Sequence, residues 1–172
     1  NIAINQFTQV TTYPVGLGAK QGEMTLFGTD GMGSLIAGTF HSAPKETTRV
    51  MIKKLDDYID VISNAKHKIE MMKIDVEGAE LNLLKGGTQF FEKIKPAFLL
   101  MEIVKYWSGG INPDFEETLR LLCSLGYEIY EIAYPLKKEK PLRRIQNINE
   151  AKNGGYLLVH KGFESEIKNL VS

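Results

Sequence analysis

One cysteine, Cys123, stands among the 172 residues. A single thiol excludes an internal disulfide framework, and in its apolar helical surroundings it reads as a small core residue rather than a nucleophile. Histidine is almost as scarce. His41, His67 and His160 are isolated from one another, and His41 has no cysteine or second histidine at ligand spacing, so no metal is expected. Charge of one sign is missing too: Lys plus Arg and Asp plus Glu number 21 each. That balance gives no electrostatic case for nucleic acid or membrane lipid as a partner. No apolar run approaches the ~20 residues that span a bilayer, and no charged-then-apolar signal opens the chain. There is no Asn-x-Ser/Thr sequon either, so a reducing cytoplasm is the expected compartment. Neither repeat nor low-complexity linker interrupts the chain, and residues 1–172 are expected to form one domain.

The stretch Met71 to Glu80 organises what is there. Ile69, Met71, Met72, Ile74 and Val76 form a short apolar run that gives way to Asp75 and Glu77, then to Gly78, then to a helical spacing of Leu81 and Leu84. This predicts a buried strand that turns into a helix. In open α/β sheets ligands bind outside the carboxyl ends of strands, so acids at that turn point to a site. A second run, Phe98 to Ile103, carries a late acid of its own, Glu102. Adjacent strands with such acids would line one pocket. The competing reading makes Asp75 and Glu77 caps of the following helix. It explains Glu102 less well, because an acid in a buried run is costly without a partner.

Elsewhere, Val10 to Leu17 is β-rich and ends in Gly16-Leu17-Gly18. The string from Gly16 to Gly22 has one residue too many for a dinucleotide loop, and Glu23 to Phe27 reads as a strand, so Lys20-Gln21-Gly22 is expected to turn a hairpin between the two strands. Thr29 to Lys45 has the composition of a lid or binding loop, and equally of a disordered segment. Thr47 to Ile52 predicts a strand, and Asp56 and Asp57 fall in the first turn of the helix after it, where they are read as capping acids. Helices are expected over Gly78 to Lys85, from Thr88 to Pro96, and after Asn112-Pro113-Asp114, the last with Phe115, Leu119, Leu122 and Leu125 inward. Tyr106 and Trp107 follow the second acid and are candidates to wall a substrate pocket. Tyr127 to Ala133 and Tyr156 to His160 predict strands that pair antiparallel, joined by a loop over 135–154 carrying Lys137, Lys138, Lys140, Arg143 and Arg144. That cluster reads as a solvated loop, or as a basic surface toward an anionic acceptor. A short helix is expected near the end, over 162–172.

The run Lys73-Ile74-Asp75-Val76-Glu77-Gly78-Ala79-Glu80, followed by Leu84-Lys85-Gly86, Pro96 and Leu99 to Glu102, resembles the signature of the FkbM-type S-adenosylmethionine-dependent methyltransferases. Leu55-Asp56-Asp57 upstream, and Gly126-Tyr127 and Gly155 to Lys161 downstream, extend the similarity. The resemblance implies an α/β, Rossmann-like class I methyltransferase fold, a mainly parallel sheet with a C-terminal antiparallel hairpin. It implies S-adenosylmethionine as cofactor and a hydroxyl of a small molecule or saccharide as acceptor. In that setting Asp75 lies nearest the methyl group, Glu102 and Glu77 orient or deprotonate the acceptor, and Gly16 and Leu17 lie on the adenine side. The family's glycine-rich loop and ribose-gripping acid are not found, so the chain is expected to begin inside the domain and to bind the cofactor weakly alone. The Met71 strand would then keep a bare edge that the Val10 strand or a second copy could pair. Two other readings are a non-catalytic domain of the same fold and a divalent-metal phosphoryl-transfer or hydrolytic enzyme with Mg²⁺ on Asp75, Glu77 and Glu102.

Overall fold

The computed structural model describes residues 2–28, 33–36, 46–64, 68–107, 110–133 and 140–171. Along the chain come β1 (Gly16–Leu17), β2 (Gly22–Phe27), β3 (Thr47–Lys53), a 3₁₀ turn (Leu55–Tyr58) and α1 (Ile59–Ser63). Then follow β4 (Met71–Ile74), α2 (Glu80–Lys85), α3 (Thr88–Ile94), β5 (Phe98–Ile103) and the small ribbon β6 (Tyr106–Trp107) with β7 (Gly110–Ile111). The last part holds α4 (Phe115–Ser124), β8 (Tyr127–Ile132), β9 (Leu142–Arg144), a 3₁₀ turn (Ile148–Glu150), β10 (Gly154–His160) and a 3₁₀ segment (Glu164–Leu170). No helix among the described residues is long and apolar enough to cross a membrane.

Two sheets carry the structure. The larger has the order β4-β5-β10-β8-β9 and the smaller the order β1-β3-β2. The mixed α/β class agrees with the sequence, but the expectation of a mainly parallel sheet is corrected. Only β4 with β5 and β1 with β3 pair parallel, while every other ladder among the described strands is antiparallel. The cause is the last strand. β4 and β5 are joined through α2 and α3, the connection that parallel neighbours require. β10 then enters reversed between β5 and β8 and keeps those two apart. The expected antiparallel pairing of the two C-terminal strands is present, from Tyr156 opposite Glu131 to His160 opposite Tyr127.

Three other expectations change. Val10 to Val15 forms no strand, and β1 is reduced to Gly16–Leu17, because only those residues find a partner, Ile52 and Lys53 of β3. The hairpin joins β2 to β3 rather than β1 to β2. Arg143 and Arg144 lie in β9, where Glu131 stands opposite Arg143 and Tyr130 opposite Arg144, so this part of the loop is an edge strand. Lys137 and Lys138 lie outside the described residues, as do His41, His67 and most of 29–45. Among the described residues β4 pairs with β5 alone, and Met71 is 58% exposed, so the edge is bare there.

The core lies between the five-stranded sheet and α2, α3 and α4. Phe90 and Phe91 from α3, Leu119 and Leu122 from α4, Leu99 and Met101 from β5, and Tyr156 and Leu158 from β10 are all but fully buried. Each such side chain withdrawn from water contributes about 1.5–3 kcal/mol. Tyr127 is buried with them and donates its hydroxyl to the carbonyl of Pro96 at 2.9 Å. Cys123 corrects the sequence reading: the buried positions of α4 are Phe115, Thr118, Leu119 and Leu122, and this thiol falls on the exposed side. Asp57 caps its own turn, as expected, but Asp56 caps a different helix, α3. Asp57 accepts from Lys54 N–H at 3.0 Å, whereas Asp56 accepts from Phe90 N–H at 2.8 Å in the first turn of α3. The small sheet approaches α2 through bare backbone: a Cβ on Gly86 would stand 2.1 Å from the carbonyl oxygen of Gly18.

Candidate functional site

At the end of β4 the buried Ile74 is followed by Asp75, Val76 and a tight turn through Glu77 and Gly78, whose φ angles of 48° and 95° are both left-handed. Glycine takes that conformation freely, but glutamate does so only where its surroundings insist. After the turn α2 opens without a side-chain cap on its first N–H groups. Neither Asp75 nor Glu77 caps it, so the capping interpretation of these two acids fails. The acid that serves the turn is Glu80, which is 3% exposed and accepts the Gly78 N–H at 3.0 Å.

The carboxylates form one electrostatic group. Ile74 pairs with Met101, which brings the following residues of β4 and β5, Asp75 and Glu102, to the same end of the sheet. Burial, then the charges of Asp75 and Glu102, push the Glu77 carboxyl above its ordinary value. Burial also raises Glu80, against the opposing effect of its bond from Gly78. Lys73 gives Asp75 a counterion at 2.8 Å, and the hydrogen bond to Asp75 holds the lysine above its own ordinary value. Glu102 is exposed, which corrects the expectation of an acid within a buried run. Leu99, Met101 and Ile103 point to the core, and Glu102 alternates to the other face with Phe98 and Leu100.

Above Asp75 lies a cavity of about 380 Å³, walled by Tyr13, Val15, Gly16, Leu17, Leu35 and Asp75 among others. Gly16, Leu17 and Asp75, far apart in sequence, therefore meet in one place. Gly16 sits close to Ile52, where a Cβ would stand 2.6 Å from Cδ1, so a larger residue there would have to displace that methyl group. Glu77 adjoins the cavity through its turn and Glu102 through its charge, but neither lines it. Two larger grooves, about 680 and 820 Å³, contain none of these acids. Tyr106 is 54% exposed, and the side chain of Trp107 is outside the described residues. Arg143 and Arg144 are paired with Glu131 and Glu128.

Sequence reasoning missed two residues. Glu80 stands in the signature itself, yet helical spacing alone gave no sign that a charged residue would be buried at that position. Ser34, 0% exposed, donates its hydroxyl to the Glu77 carbonyl at 2.6 Å across a separation of 43 residues. Nothing local marks it. Among the described residues no three His, Cys, Asp or Glu side chains are gathered so as to hold a metal ion.

Residues 1–129 fit the family model of the methyltransferase FkbM domain. No curated protein and no solved structure matches the chain.

Proposed function

Because the chain belongs to the FkbM methyltransferase family, we propose that it transfers a methyl group from S-adenosylmethionine to a hydroxyl oxygen of a small molecule or saccharide. The observation that carries this reading is the meeting of Gly16, Leu17 and Asp75 around one cavity. Its volume is within the ~300–1,000 Å³ of small-molecule sites, and its walls suit part of this cofactor. Tyr13, Val15, Leu35 and Val76 offer an apolar slot for a flat base, and Asp75 offers a negative charge for a sulfonium. When bound, S-adenosylmethionine supplies an electrophilic methyl carbon on a cationic sulfur.

The protein's own part is positioning and charge. Asp75 holds the cationic end of the cavity, and Lys73, paired to it, limits how far its carboxylate can swing. Glu77, whose charge interacts with those of Asp75 and Glu102, would serve the acceptor hydroxyl together with Glu102. A carboxylate beside the acceptor would take up the hydroxyl proton that the transfer releases. Glu77 suits that role because its raised pKa makes it a stronger base than an ordinary glutamate.

Calorimetric titration of the protein, in the full length that its gene encodes, tests the reading. Heat of binding with S-adenosylmethionine and none with Mg²⁺ is the expected result. Saturable Mg²⁺ binding without cofactor binding would replace the proposal with metal-dependent chemistry.

A further inference from the structure

The turn that presents Glu77 is held by side chains from two distant parts of the chain. Ser34 Oγ donates to the Glu77 carbonyl at 2.6 Å, and the Glu80 carboxylate accepts the next N–H, that of Gly78, at 3.0 Å. Both clamping side chains are buried, Ser34 fully and Glu80 to 3% exposure. Ser34 is itself fixed by its backbone, which exchanges two 2.9 Å hydrogen bonds with Phe27 at the end of β2. Its hydroxyl oxygen also accepts from Ile36 N–H at 3.1 Å. The neighbours of Ser34 in sequence, Gly33 and Leu35, line the cavity. One strap thus walls the cavity and grips the acid turn.

We infer that Ser34 is a positioning residue: the strap over 33–36 fixes the backbone of Glu77 through the Ser34 hydroxyl and so holds the Glu77 carboxylate beside Asp75 and Glu102. Without Ser34 the turn keeps the Ala79 N–H bond to the Val76 carbonyl at 3.2 Å and the Glu80 bond to Gly78, but the strained left-handed Glu77 loses the contact on its own carbonyl and its peptide is free to rotate. The Glu77 side chain would then swing away from Asp75 and Glu102. The consequence for turnover rests on the methyltransferase reading, whereas the clamp is independent of it.

The test uses Ser34→Ala, which deletes the donor, and Ser34→Thr, which restores it. In ligand-free protein the Glu77 carboxylate is titrated by carbon-13 resonance, assigned from the signal lost in Glu77→Gln. The other titratable groups around it are Asp75, Glu80, Glu102 and Lys73. Ser34→Ala is expected to make Glu77 titrate at lower pH than in the unchanged protein. It should also lower kcat ~10- to 100-fold with the KM for S-adenosylmethionine unchanged, as for displacement of a reacting group by about 1 Å. Ser34→Thr should restore both. Unchanged titration of Glu77 in Ser34→Ala would overturn the inference, and so would a loss of activity that Ser34→Thr fails to rescue. If Ser34→Ala does not fold, Ser34→Cys, close in shape and a weaker donor, is read by the same two measurements. Should the unchanged protein bind no S-adenosylmethionine, the proposed function falls, and the titration alone decides the clamp.

Discussion

In the five-stranded sheet Leu99, Met101, Ile103, Tyr156 and Leu158 are exposed by 1% or less, whereas in the three-stranded sheet Ile52 is the only strand residue that reaches this level. The larger sheet is backed by α2, α3 and α4, and the smaller leaves most of β2 and β3 to solvent. The cavity lies on the seam between them. Its acid hangs from the strong sheet, at the end of β4, while Gly16, Leu17, Leu26 and Val50 in its walls come from the weak one. Segments with few buried apolar contacts open at lower free energy than the core. The comparison teaches that the floor of this site is rigid and its walls are the part that yields.

The strongest way to break that contrast is to weaken each sheet in turn. Leu99→Ala should cost about 2–5 kcal/mol in urea unfolding and Ile52→Val about 0.5–1.5 kcal/mol. With Ile52→Val, hydrogen exchange should quicken in β1 to β3 and stay unchanged in β5 and β10. Uniform quickening across both sheets would mean that they unfold as one unit. Next in size is the floor itself. Asp75→Asn keeps shape and removes charge, so methyl transfer should fall at least ~10-fold, about 1.4 kcal/mol of barrier, with the melting temperature preserved. Undiminished turnover with a lowered melting temperature would reduce Asp75 to a structural role. Glu102→Gln should also cost activity, yet leave cofactor affinity in calorimetry nearly intact, since Glu102 does not line the cavity.

A smaller effect separates buried from exposed charge within the strong sheet's own helix. Burial raises the folded-state pKa of Glu80 above the ordinary value of 4.5. As pH rises through the interval between the two, the unfolded chain loses the proton first, the folded chain binds more protons, and stability falls. Glu80→Gln keeps an acceptor for Gly78 and removes the titration. Its melting temperature relative to the unchanged protein should therefore rise from acid to neutral pH, and a flat difference would show that Glu80 folds without strain from its charge. The smallest effect belongs to Lys85 and Glu117, an ion pair at 2.7 Å between α2 and α4 with both side chains about half exposed. Lys85→Ala should change stability by less than about 1 kcal/mol.

Much of this was legible because it was local. Lys73 to Glu80 announced a strand, a turn and a helix in its own residues, and Asn112-Pro113-Asp114 announced α4. There the buried Asn112 accepts the Asp114 N–H at 2.9 Å and donates to Val104 at 2.7 Å, which ties the helix to the end of β5. What escaped was set by partners. β9 has only Leu142, Arg143 and Arg144, too short for alternation to show, and its place comes from Glu131 and Glu128 on β8. Glu102 was misjudged because Phe98 and Leu100 are apolar on the outer face and mask the period of β5. The clamp of Ser34 on Glu77 spans 43 residues, and no window of sequence contains both its ends.

The position of β10 has a consequence for how the chain is made. It is the last of the described strands and sits between β5 and β8, which pair with it on either side and not with each other. While the chain leaves the ribosome at ~5–20 residues per second, every element from β4 to β9 is complete before the strand that joins them exists. Until Gly154 to His160 emerge, β5 and β8 each present an inner edge with unpaired backbone groups, and Leu99 and Met101 lack Tyr156 and Leu158 beside them. The nascent sheet therefore stays open in its middle until β10 arrives, and the hazard of mispairing at those two inner edges ends only then.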